Sequence, residues 1–105
     1  MKKVTFYKAM IPAGTFEKCT GYQFCIGIHE YIVHKTPFDG WTVTHKSTGM
    51  RVLTPLQEQT TRRAAIDLIA RDSSLIAKIE NSLKQPHIKA AENRLFDFLE
   101  GLNNA

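Results

Sequence analysis

Between Tyr22 and Leu53 the chain passes through β-branched and aromatic runs separated by compact turn signals. The first run carries Ile26, Ile28, Tyr31, Ile32 and Val33 and ends at Pro37; Phe38-Asp39-Gly40 then precedes Trp41. A second run, Trp41-Thr42-Val43-Thr44-His45, stops at Ser47-Thr48-Gly49, and Met50-Arg51-Val52-Leu53 forms a third. Runs of this composition bounded by Gly, Pro, Asp and Ser specify strands joined by tight connections. A three-stranded antiparallel meander at about 22–53 is the expected nucleus of the fold.

Parity inside this stretch is informative. Tyr22, Phe24, Ile26 and Ile28 share one face of an extended chain, whereas Tyr31 and Val33 fall on the other. Side chains alternate with a period of two, so one extra residue flips the buried face. A β-bulge near His29-Glu30 explains the break. A strongly bent strand, or a strand that ends before a short link, explains it equally. Gly49 and Asp39-Gly40 are candidates for positive φ. Trp41, the only tryptophan, directly follows Gly40 and is expected to pack against the helices.

Upstream, Lys2 to Met10 alternates in part and predicts a first strand, with Val4 and Phe6 on one face. Pro12-Ala13-Gly14 breaks it. Thr15 to Cys19 is a short strand or loop, and Thr20-Gly21 a further turn.

After Thr54-Pro55 the period changes. Ala65, Leu68, Ile69 and Ile76, then Leu75, Ile79 and Leu83, repeat at helical spacing. Ser73-Ser74 is unfavourable inside a helix, so two helices are expected, at about 60–71 and 74–84. Thr60 or Thr61 caps the first, Ser73 or Ser74 the second. From His87, Ile88, Ala91, Leu95, Phe98 and Leu102 form an apolar stripe that Phe96 and Leu99 widen, ending near Gly101 and Asn103-Asn104. So wide a stripe on a last helix makes a homodimer through it an expectation.

The expected class is α+β: an antiparallel sheet of three to four strands packed against two to three C-terminal helices. The 105 residues suit one domain, 1–105, with a sheet half at 1–54 and a helical half at 57–102. A hydrophobic fraction of 43% is enough for a core without metal or disulfide staples. Cys19 and Cys25 have neither redox nor zinc spacing. The first residues are too polar for a signal core, and no run approaches a membrane span. A cytoplasmic protein with free thiols, no cofactor and no membrane partner is expected.

Charge is uneven. To Met50 there are six basic residues against three acidic; from Arg51 there are eight against seven. The sheet half carries most of the excess, which suits a polyanion partner. Lys35, Lys46 and Arg51 flank the meander, while Arg62 and Arg63 open the first helix. Amides at a helix start favour anions, and the arginines add charge-assisted bonds. These five residues are the candidate contacts to DNA or RNA. Tyr31 and Phe38 are candidate protein-binding residues, with Phe38, in a turn, the better exposed anchor.

There is no glycine-rich phosphate loop, H-E-x-x-H or nucleophile elbow. His29, His34 and His45 lie in the sheet, and facing strands would bring His34 near His45. Cys25 and His29 are about 13 Å apart on a regular strand, too far for a nucleophile pair. No catalytic or metal-ligating residue is assigned. The expected function is a small non-enzymatic binding protein that contacts nucleic acid. The alternatives are a protein-binding accessory or inhibitory module, of the kind phages and mobile elements carry, and a small enzyme using His and carboxylate groups.

Overall fold

The computed structural model describes residues 1–10 and 14–104. Four strands, β1 (Lys2–Met10), β2 (Thr15–Ile26), β3 (His29–Lys35) and β4 (Trp41–His45), precede three helices. These are α1 (Arg62–Arg71), α2 (Ser73–Leu83) and α3 (Pro86–Asn103). The strands form one antiparallel meander in sequence order. This is the expected α+β class, a four-stranded antiparallel sheet packed against helices. The break expected at Pro12-Ala13 lies outside the described residues.

Several local expectations change. Thr15 to Cys19 and Thr20-Gly21 are neither loop nor turn; they belong to one twelve-residue strand, β2. The parity break is not a bulge. β2 ends at Ile26, Gly27 takes φ 60° in the turn, and β3 starts at His29, which pairs with Ile26. The last of the three explanations therefore holds: a two-residue connection switches the parity, so Tyr22 and Phe24 share one face with their partners Val33 and Tyr31. Met50 to Leu53 is not a strand: Arg51 makes a single bridge to Thr44, and the Val52 amide donates to the Val43 carbonyl at 2.9 Å. Asp39 and Gly49 do take positive φ, 63° and 70°.

The sheet is strongly curled. The Ala9 amide, on the outer edge of β1, donates to the carbonyl of Gly49, just beyond β4, at 2.8 Å. The two ends of the meander thus meet, and the sheet bends toward a barrel. Its concave face buries Phe6, Ile32, His34, Thr42 and Thr44. Its convex face carries Tyr31, Val33 and Val43 into a core completed by Leu53, Ala65, Ile69 and Ile79. Trp41 packs at the margin of that core. Covering both faces explains why β3 reads as a nearly continuous apolar run.

The helices begin where local chemistry caps them. The Thr61 side chain accepts from the Ala64 amide, as expected for α1. α2 is capped by Asp72, not by Ser73 or Ser74: its carboxylate accepts from the Leu75 amide at 3.0 Å. Pro86 opens α3, where its missing N–H costs no helical hydrogen bond. α3 buries Ile88, Ala91 and Leu95, and Phe98 packs on Tyr7 and Phe16 of the β1–β2 hairpin. Among the described residues no helix is long and apolar enough to cross a membrane.

Candidate functional site

Four of the five chosen cations gather at one end of the sheet, where β3 ends, β4 begins and α1 starts. Lys35 lies at the end of β3, its ammonium 5.8 Å from the centre of the Trp41 ring. Arg51 reaches the same end from the segment after β4 and donates to the Thr42 hydroxyl at 3.2 Å. Gln59 pairs with Trp41 through two backbone bonds, and this places the first turn of α1 beside β4. The Arg62 guanidinium then lies 4.2 Å from the centre of the Tyr22 ring, and Arg63 is exposed next to it. Two cations resting on aromatic faces are held in place without carboxylate partners among the described residues.

Lys46 is separated from this group. It follows the other end of β4, roughly 16 Å along the strand from Trp41. There its ammonium pairs with Glu30 at 3.3 Å and bonds the Gln23 side chain at 2.9 Å.

A cavity of about 270 Å³ opens beside the cationic end, on the concave face. Lys8, Lys35 and Arg51 border it, and Glu58 is its one carboxylate among the described residues. Arg51 pairs with Glu58, and the Thr36 hydroxyl donates to the same carboxylate. His34 forms part of the wall. Its Nδ1 lies 3.1 Å from the Lys35 carbonyl, which only accepts, so Nδ1 carries the proton. Nε2 then accepts from the Thr44 hydroxyl at 2.7 Å. Burial lowers the His34 pKa, its hydrogen bond to the Lys35 carbonyl opposes this, and Lys8 and Arg51 lower it further. A hydroxyl on a neutral imidazole is a nucleophile–base contact in form. At 1% exposure, however, Thr44 offers no approach to a substrate, and the contact joins two strands.

The other histidines meet elsewhere. His34 and His45 do not come together, because they point to opposite faces. His45 Nδ1 lies 3.0 Å from the Thr48 hydroxyl and Nε2 3.3 Å from His29 Nδ1. Burial and the neighbouring His29 push its pKa down to about 4, with Glu92 opposing. Among the described residues no three His, Cys, Asp or Glu side chains are grouped to hold a metal ion. Cys25 pairs across the hairpin with Glu30, and His29 with Ile26, so the two point to opposite faces.

Of the two candidate protein contacts, Phe38 is 87% exposed but Tyr31 is only 2% exposed and belongs to the core. The turn at Gly27-Ile28 puts Tyr31 on the helix-covered face. Among the exposed aromatic and aliphatic residues that strand parity misses, which include Leu56 and Leu102, are Ile28, Phe96 and Leu99. Ile28, on the β2–β3 turn, and the two α3 residues line one cavity of about 370 Å³. The signal for two of them was present in the excess width of the α3 stripe.

Comparison with known proteins gives no match: no protein-family model, curated protein or solved structure corresponds to this chain.

Proposed function

We propose that this protein is a small non-enzymatic binding domain that contacts nucleic acid through the cationic end of its sheet. The reading rests on one observation: Lys35, Arg51, Arg62 and Arg63 come from three separate parts of the chain and lie toward one end of the sheet, Lys35 and Arg62 over rings of the helix-covered face and Arg51 beside Thr42 on the concave face. Lysine and arginine side chains supply phosphate contacts, which position a strand without reading its sequence. Phe38, exposed in the adjoining β3–β4 turn, offers a ring on which an unpaired base stacks. Single-stranded nucleic acid is therefore the preferred ligand.

The test is fluorescence anisotropy with short labelled single strands and duplexes across a salt series. If four cations each neutralise one phosphate, single-strand affinity falls roughly 50-fold between about 50 and 200 mM salt. No binding at the lower salt, or a flat response, overturns the proposal.

A protein-binding reading is supported separately by Ile28 at 93%, Phe96 at 62% and Leu99 at 37% exposure around one cavity. Apolar side chains grouped in this way serve interfaces. A homodimer through α3 would sediment as a dimer, and Phe96→Glu would return it to a monomer. A wild-type chain that is monomeric at high concentration excludes the homodimer.

A further inference from the structure

We propose that the crevice between α2, the start of α3 and the segment following β4 binds a small aliphatic carboxylate. This site lies outside the nucleic-acid reading; the two share only Arg51 at their border. α2 packs chiefly on α1 and α3 and only slightly on the sheet. A cavity of about 490 Å³ is left between α2 and the chain after β4. That volume lies within the range of small-molecule sites.

The chemistry of the lining selects the ligand. Val52, Leu75, Ile79, Leu83 and Ile88 make an aliphatic wall, and among the described residues no Phe, Tyr or Trp lines it. A flat aromatic ligand would find no ring to stack on, whereas an alkyl chain finds branched side chains along its length. The ionisable residues are Lys78, Arg51, His45 and His87, and no described Asp or Glu borders the space. Arg51 is engaged by Glu58 and Thr42, and His45 by Thr48 and His29. Lys78, exposed on α2, therefore provides the charge, and Thr48, Thr54, Gln57, Ser82 and His87 are further polar residues of the lining. An apolar body with one anionic head matches this distribution, and a neutral or cationic amphiphile does not.

Titration of the full chain with decanoate, kept below its micelle concentration, tests the proposal. Calorimetry gives the affinity, and amide chemical shifts give the location. Decanoate is expected to bind and to shift the amides of Leu75, Ile79 and Leu83, while decanol binds roughly tenfold or more weakly because it lacks the charge-assisted bond. Lys78→Glu lowers decanoate affinity by a similar factor. Ser82→Trp, at an exposed helical position on the mouth, blocks entry without disturbing the core. Lys78 and Ser82 lie outside the cationic end of the sheet, so nucleic-acid affinity is read independently in the same variants. Equal binding of decanoate and decanol, an unchanged affinity in Lys78→Glu, shifts confined to other surfaces, or no binding by the wild type overturns the assignment.

Discussion

Gly21 lies against Ile32 so closely that a Cβ on the glycine would fall 2.6 Å from Ile32 Cγ2 and 2.7 Å from the Val33 carbonyl oxygen. β2 crosses β3 at this point as the sheet curls, and only a residue without a side chain lets the strands approach. Gly21→Ala has no room to relax, because Ile32 is fully buried. The expected loss is about 1–3 kcal/mol, the usual cost of overpacking. Urea denaturation measures it, with Gly101→Ala as the control. Gly101 lies in α3, where a Cβ would meet nothing within 4 Å, and the change there should stabilise by about 0.5–1 kcal/mol. Equal midpoints for the two variants would refute the close approach.

His45 makes the fold sensitive to acid. An imidazole in the unfolded chain titrates near 6.5, whereas His45 in the fold titrates at about 4, through burial first and His29 second. Above the unfolded value neither state holds the proton, and His45 has no effect. As pH falls from about 6.5 to 4, the unfolded chain takes up a proton that the folded chain refuses, so stability falls; below about 4 the loss levels off. The full effect is on the order of 3 kcal/mol. His34 acts in the same direction, again chiefly through burial. The groups facing His45 are His29, Thr48 and, more distantly, Glu92, whose negative charge partly offsets the effect. Thermal unfolding of wild type and His45→Gln at a series of pH values isolates the contribution. The two curves should converge toward low pH; a constant difference between them would exclude titration as the cause.

The elements that were readable in the sequence are those specified by local chemistry. Pro55, the Ser73-Ser74 pair and Gln85-Pro86 mark breaks that period alone locates, and Trp41, Phe38 and Gly49 take the positions their neighbours dictate. The misreadings have a common physical source in the curl of the sheet. Gly21 looks like a turn residue because glycine serves both turns and close strand crossings, and only the approach of Ile32 distinguishes them. Tyr31 looks available as a contact because parity counted from Tyr22 runs through a turn that resets it. The cationic end was legible residue by residue but not as a place. Nothing local says that Arg62 reaches Tyr22 while Lys46, one residue beyond β4, is held by Glu30 at the other end.

Removing the α2 cap should cost a defined amount. Asp72 is exposed, and its contribution is the bond to the Leu75 amide together with the favourable charge at a helix start. Asp72→Ala is expected to destabilise by about 1 kcal/mol, and Asp72→Asn, which keeps the acceptor, by less. Ser73→Ala, at the position that composition favoured for the cap, should be nearly neutral. A larger loss from Ser73→Ala than from Asp72→Ala would reassign the cap.

Glu58 limits the cationic end, because it pairs with Arg51 while accepting from Thr36. If phosphate is the ligand, it competes with this carboxylate for the guanidinium. Glu58→Gln keeps an oxygen for Thr36 but frees Arg51 of its counter-charge, so nucleic-acid affinity should rise several-fold at low salt. Lys35→Ala and Arg63→Ala should each weaken binding and reduce the logarithmic salt slope by about 0.7 for a single strand. Lys46→Ala should leave both unchanged, since Lys46 lies at the far end of β4 and is already paired with Glu30. Anisotropy measured across salt for the four variants separates placement from total charge. If Lys46→Ala lowers affinity as much as Lys35→Ala, net charge alone accounts for binding and the localised interface is wrong.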